Sequence, residues 1–150
     1  MKKLILILFI LALSGSLFAN YPFIDPIDYT LPECDIKNNK VVSKNKCIGE
    51  IKDYLGYKNN NFFGEIENKK PNGNGYLYSN EMEYWGTFDK GKIQGYGTMS
   101  LPSKNYTYYG DFKNNKRTGF AADLDSANGK YIGKYNRDLR NGNGKYLNIK

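Results

Sequence analysis

Residues 84–97 read YWGTFDKGKIQGYG, and this pattern of glycines and aromatic residues occurs four times between residues 62 and 150. The units open with FFGEI, YWGTF, YYGDF and YIGKY, and their first glycines are 22, 24 and 23 residues apart. A second marker follows nine residues after the first, and a third follows two residues later. The markers are Gly64, Gly73 and Gly75; Gly86, Gly95 and Gly97; Gly110, Gly119 and Ala121; and Gly133, Gly142 and Gly144. A fixed period over four units is typical of a repeat architecture.

The spacing within each unit predicts a β-hairpin. Side chains alternate across a strand, so positions one, three and five of the opening share a face, and the central Gly leaves room for the flanking rings. Six turn-like residues follow, 89–94 in the second unit, before the Gly-x-Gly strand returns. Position eight is Lys69, Gly91, Asn115 or Asp138. Gly, Asn and Asp tolerate the left-handed conformation, whereas Lys69 predicts an irregular first unit.

These units resemble the MORN repeat, which runs Tyr-x-Gly-x-aromatic, a turn, and then Gly-x-Gly. The resemblance covers residues 62–150 and implies an all-β fold, an elongated, twisted antiparallel sheet of stacked hairpins. It also implies a non-catalytic module used for protein scaffolding, self-association or attachment to phospholipid surfaces. Two features depart from the family. Ala121 replaces a Gly, which questions close packing in the third unit, and position two is apolar where the family commonly has Glu.

The apolar side chains at position two form the first candidate binding surface, here called the position-two row: Phe63, Trp85, Tyr109 and Ile132. Equivalent residues of successive hairpins lie two strands apart, so the row extends on the order of 30 Å across the sheet. An exposed apolar row of that length marks an interface. Alternatively, the apolar segment at residues 20–33 covers the row and forms a second layer.

The opposite face, here called the ring face, carries the side chains at positions one and five: Phe62, Tyr84, Tyr108, Tyr131, Ile66, Phe88, Phe112 and Tyr135. These rings hold the hairpins together. The same face could also offer a shallow tyrosine-rich groove, and we include Tyr84, Tyr108 and Tyr131 among the candidate binding residues. Lys and Arg residues in the turns either meet phosphates or acidic side chains, or form a solvated edge that opposes sheet pairing.

The first 19 residues predict a secretory signal peptide. Lys2 and Lys3 precede an apolar run from Leu4 to Leu13, and small residues follow. The predicted cleavage follows Ser16 or Ala19, which places the protein in the periplasm or outside the cell. The alternative is a retained membrane anchor, but the apolar stretch is shorter than the roughly 20 residues that a spanning helix needs.

Residues 20–61 predict an N-terminal strap or cap. Three prolines among apolar residues favour an extended strap over residues 20–33, and a short turn of helix or strand is expected within residues 48–57. Cys34 and Cys47 are the only cysteines. In an exported chain such a pair predicts one disulfide, and two buried thiols are the alternative.

Composition argues against catalysis and against nucleic-acid binding. The chain has no His, which removes the commonest general base and the usual zinc ligand. Residues 62–150 hold 14 basic and nine acidic residues, an excess far smaller than that of a nucleic-acid arm. We therefore predict a non-enzymatic protein without cofactor or metal. Its expected partner is an envelope protein or a second copy, and the alternative partner is anionic phospholipid or a cell-wall polymer.

Overall fold

A computed structural model describes residues 26–38, 40–54, 59–127 and 129–148. The predicted signal peptide and residues 20–25 of the strap lie outside the described residues. Among the described residues, no helix has the length and apolar character needed to cross a bilayer.

The protein is built on one antiparallel sheet of nine strands that follow one another in chain order. Its strands are β3 (Cys47–Ile51), β4 (Asn61–Glu67), β5 (Lys70–Tyr78), β6 (Glu83–Asp89), β7 (Lys92–Leu101), β8 (Tyr106–Lys113), β9 (Lys116–Asp125), β10 (Gly129–Asn136) and β11 (Leu139–Leu147). A small separate hairpin is formed by β1 (Ile36–Lys37) and β2 (Lys40–Val41). The predicted all-β antiparallel fold is confirmed.

The four repeat hairpins turn more tightly than the sequence predicts. Each turn has two residues between paired strands, not six, because the strands continue to the turn on both sides. Both turn residues are left-handed in every unit, with φ of 50° at Asn68 and 66° at Lys69. The expected irregularity at Lys69 is therefore wrong. The ladder on both sides of the turn imposes a conformation that a Lys side chain does not itself favour.

β3 lies within the predicted cap and adds a ninth strand to the repeat sheet. It pairs along β4, with Cys47 opposite Ile66 and Ile51 opposite Phe62. The predicted disulfide is confirmed, since Cys34 and Cys47 are bonded. A parallel bridge joins Glu33 to Ile48 on the far side of β3. The first repeat therefore has no bare edge on this side.

The core lies on the ring face, where aromatic side chains cover a floor of glycines. In the second unit Gly86 pairs with Gly97, and an added Cβ at either glycine would lie within 2.4 Å of Tyr84 Oη. The rings contact one another edge to face from Phe62 to Tyr135, with centroids 4.9–5.9 Å apart. Ala121 is accommodated beside Gly110, since Tyr108 remains fully buried above it. These contacts stabilise the interface between neighbouring hairpins.

Candidate functional site

Tyr84, Tyr108 and Tyr131 are buried on the ring face, at 0%, 0% and 2% exposure. The hydroxyl group of Tyr84 donates to the carbonyl oxygen of Thr87 at 3.3 Å, and that of Tyr108 donates to the carbonyl oxygen of Asp111 at 3.0 Å. In the fourth unit, the hydroxyl group of Tyr131 donates to the carbonyl oxygen of Lys134. These carbonyls lie at the point in each unit where the strand register shifts. Burial raises the pKa of Tyr84 and of Tyr108. We therefore assign the three rings a structural role, because a buried ring has no surface to offer a ligand.

The ring face carries a groove with a volume of about 860 Å³. Its floor is apolar: Leu77, Met82, Phe88, Ile93, Met99, Leu101 and Phe112. One rim is formed by the hairpin turns at Gly91, Asn115 and Asp138. The other rim is formed by Asn59, Asn60 and loop residues 79–81, at the opposite end of the strands. An apolar floor between polar rims is typical of a binding site.

Tyr54 and Arg117 mark the two ends of this groove. Tyr54 follows β3, and its hydroxyl group donates to the carbonyl oxygen of Gly91. Burial raises the pKa of Tyr54 to about 12. Arg117 lies on β9, four strands from the floor residue Leu77 on β5. The groove therefore runs across the strands from the hydroxyl group of Tyr54 to the cation of Arg117.

Two register positions on the ring face change from apolar to polar along the chain. The residue two places after the third marker is Leu77, Met99, Asp123 or Tyr146 in successive units. The residue two places before the second marker is Pro71, Ile93, Arg117 or Arg140. At these positions the first two units contribute Leu77, Ile93 and Met99 to the apolar floor, and the last two units supply a network of arginine, tyrosine and aspartate.

Asp123 is the centre of this network. It is fully buried, and Arg140 donates to both of its carboxylate oxygens, at 2.7 and 3.1 Å. Tyr135 also donates to Asp123. Burial disfavours the charge on Arg140, but hydrogen bonds to Asp123, Tyr135 and Tyr146 raise its pKa above the usual value. The carboxylate is therefore satisfied internally and is not available to a ligand.

The position-two row lies on the opposite face and is half-buried along its length. Register places Tyr76 between Phe63 and Trp85, Thr98 between Trp85 and Tyr109, and Ala122 between Tyr109 and Ile132. Tyr76 and Trp85 are in ring contact, with centroids 5.8 Å apart. The four side chains therefore belong to one continuous line across the sheet, as the strand alternation predicts.

The described start of the strap lies beside the first members of this row. Asn74 donates to the carbonyl oxygen of Pro26 at 3.3 Å, and Asp28 donates its backbone N–H to Glu65 at 3.2 Å. Ile27 between them is 2% exposed. Residues 20–25 lie outside the described residues, so coverage of the row by the strap stays a prediction.

Basic residues concentrate at the hairpin turns. Residues 67–70, 89–92, 113–116 and 136–139, here called the turn edge, hold seven Lys and Arg residues and three acids. All seven basic residues are exposed: Lys69, Lys70, Lys90, Lys92, Lys113, Lys116 and Arg137. Within the described part of the chain, no cluster of three or more Cys, Asp or Glu side chains is placed to hold a metal ion.

A comparison with protein families supports the assignment that the repeats suggest. The family described as MORN repeat matches residues 84–106, 108–121 and 131–147. The chain contains MORN repeats. These three segments correspond to the second, third and fourth units, and the first unit has the same strand pairing and the same two-residue turn. No curated protein matches the chain. MORN repeats are in general non-enzymatic and bind proteins or membrane lipids.

Sequence reasoning placed Phe88 and Phe112 on the ring face of these MORN repeats but missed the other residues of the groove floor. Leu77 and Met99 occupy the same position in two units, two residues after a marker glycine, and strand alternation places that position on the ring face. That spacing could have identified them. Met82 and Asn59 lie in loops between strands, where no period applies, so their approach to the groove required the structure.

Proposed function

We propose that this chain is a non-enzymatic, exported binding or scaffold protein, and that its ring-face groove holds a segment of a partner protein in the cell envelope. The observation that carries the proposal is the groove itself, an apolar floor about 860 Å³ in volume between two polar rims. The segment at residues 1–19 has the features of a secretory signal and supports export.

The chemistry of the floor suits a peptide segment. Met82 and Met99 are partly buried and pack against the core, so their flexible side chains can adapt to an apolar group placed above them. The rims supply amide groups from Asn59, Asn60 and Asn115 that can bond to a peptide backbone. Apolar anchors with a polar border are the usual composition of a protein interface.

Crosslinking in the native envelope, followed by capture of the tagged protein, tests this proposal. We expect one enriched protein, or a second copy, with the wild-type chain, and its loss with Met82→Glu. Met82→Leu is the matched control, because it keeps an apolar side chain of similar size. Trp85→Ala with Tyr109→Ala tests the position-two row separately. Loss of capture in that double variant alone would move the interface to the opposite face and refute the groove.

Attachment to an anionic phospholipid or wall polymer is the second candidate, and the turn edge favours it. The turn edge holds seven exposed cations against three acids. Such binding should weaken steeply with salt, because exposed charges are screened. Vesicles of phosphatidylglycerol should sediment the protein, and vesicles of phosphatidylcholine should not. Lys113→Glu should reduce sedimentation more than Lys104→Glu, which makes the same charge change away from the turn edge.

A further inference from the structure

We propose that the groove selects a partner segment with an acidic side chain, and that Arg117 binds its carboxylate while the apolar floor holds the neighbouring residues. This inference rests on the proposed function and adds the chemistry and direction of the bound segment.

Arg117 is held in place before any ligand arrives. Its side chain donates to Tyr106 Oη at 2.6 Å, to the carbonyl oxygen of Asp138 at 3.0 Å, and to Asp138 Oδ1 at 3.5 Å. Its guanidinium carbon also lies 5.4–5.7 Å from the ring centroids of Tyr106, Tyr108 and Tyr135. A group fixed by its neighbours loses little entropy when it binds a ligand.

The guanidinium group still has bonding capacity. An arginine side chain carries five N–H donors, and the hydrogen bonds of Arg117 among the described residues use three of them. The side chain is 21% exposed and lines the groove. A planar guanidinium with open donors matches the geometry of a carboxylate.

Local charge also favours an acid at this end. Asp138 is shared by Arg117, at 3.5 Å, and Lys116, at 3.9 Å, so two cations face one carboxylate. Arg140, nearby in register, is committed to Asp123 at 2.7 Å. Glu81 also lines the groove, but it lies in the loop between β5 and β6, away from Arg117. A carboxylate from a partner would therefore neutralise the excess positive charge at Arg117.

The sheet geometry sets the spacing of the selected segment. Arg117 is opposite Phe112, and Phe112 is opposite Gly95, so Met99 lies two strands from Arg117 and four residues further along β7. Two strand spacings are about 10 Å and four strand residues are about 13 Å, a diagonal of roughly 16 Å that an extended peptide covers in about five residues. In an extended segment, the acid should therefore lie about five residues from the side chain that packs on Met99.

Selection from a displayed random peptide library, using protein expressed from the full chain, tests both the binding function of the groove and the role of Arg117. Wild-type protein should enrich apolar peptides that carry Asp or Glu at a constant distance from the apolar residues. Arg117→Gln should enrich apolar peptides without the acid. Arg117→Lys should keep the acid preference. Lys104→Gln, which removes an exposed cation that is not on the groove lining, should behave as wild type.

A selected peptide and its Glu→Gln version are then titrated against each protein. The substitution should weaken binding to wild type about tenfold and leave binding to Arg117→Gln almost unchanged. An acid that is absent from the wild-type selection, or that persists with Arg117→Gln, overturns the role of Arg117 while leaving the groove function intact. Failure to enrich apolar peptides, or their enrichment by Met82→Glu, overturns both proposals. A thermal melt of each variant confirms that its binding is measured on folded protein.

Discussion

Backbone N–H groups that follow the turns of the second and third units are satisfied by side chains of the following repeat. Asn115 Oδ1 accepts from the N–H of Ile93 at 2.7 Å, and Asp138 Oδ1 accepts from the N–H of Arg117 at 2.9 Å. In the first unit the equivalent residue is Pro71, which has no N–H, and the residue facing it is Gly91, which has no side-chain acceptor. In these three units, the backbone N–H donor and the side-chain acceptor are thus either both present or both absent. This matching avoids the free-energy cost of an unpaired polar group.

Replacing Asn115 with Gly should lower the free energy of unfolding by about 1 kcal/mol more than replacing Asn114 with Gly. Both residues are left-handed, with φ of 65° and 51°, so the backbone effect of glycine is similar at the two sites. Only Asn115 accepts the Ile93 N–H through its side chain. Urea unfolding of both variants measures the difference, and equal losses would show that the side-chain cap contributes nothing.

Arg140→Ile alone should destabilise the protein strongly, by about 3–5 kcal/mol, because it leaves the fully buried Asp123 carboxylate unpaired. Asp123→Met and Tyr135→Phe added to Arg140→Ile should recover much of this loss. The three new side chains are those that the second unit has at the same positions, where they pack without charge. Urea unfolding of the single and triple variants tests this. A triple variant no more stable than Arg140→Ile would contradict it.

The hairpins are the elements that sequence predicts best, because glycine spacing and strand alternation report directly on backbone geometry. Their turns were harder to predict from the sequence. Gly91, Asn115 and Asp138 have residue types that suit a left-handed turn, whereas Lys69 adopts that conformation because strand pairing requires it. β3 was predicted only as a short turn of helix or strand within residues 48–57, and its place in the sheet was not predicted. It has neither the repeat period nor its markers, and only its pairing with β4 identifies it as part of the sheet.

The disulfide should stabilise one end of the sheet selectively. It joins β3 to residue 34 across a sequence separation of 13 residues, and β3 covers the edge of the first repeat. Cys34→Ser with Cys47→Ser should lower the free energy of unfolding by about 3 kcal/mol. Repeat stability depends mainly on neighbouring units, so hydrogen exchange should accelerate in β3 and β4 and change little in β9–β11. Uniform acceleration along all nine strands would contradict this selectivity.

At the scale of the whole molecule, stability should fall steeply in alkali. The sheet is held together by tyrosine rings, and burial raises the pKa of Tyr84 and Tyr108, and those of Tyr54, Tyr76 and Tyr78 to about 12. The folded state therefore holds these protons more tightly than the unfolded state, in which a phenol titrates near pH 10. By linkage, the free energy of unfolding stays level below about pH 9 and declines as the pH rises through 10 toward 12.

Urea unfolding at pH values of about 7, 9 and 10.5 measures this decline. Tyr84→Phe should be less stable than wild type at neutral pH by about 1 kcal/mol, since it loses the hydroxyl bond to Thr87, yet it should lose less stability on going to alkali. Phe62 shows that the ring alone fits this position of a repeat. The salt bridge of Lys46 with Glu65 acts in the same direction, because hydrogen bonding to Glu65 raises the pKa of Lys46. Lys46→Met separates the contribution of this salt bridge. An alkaline decline unchanged by Tyr84→Phe would show that ionisation of Tyr84 does not contribute to the decline.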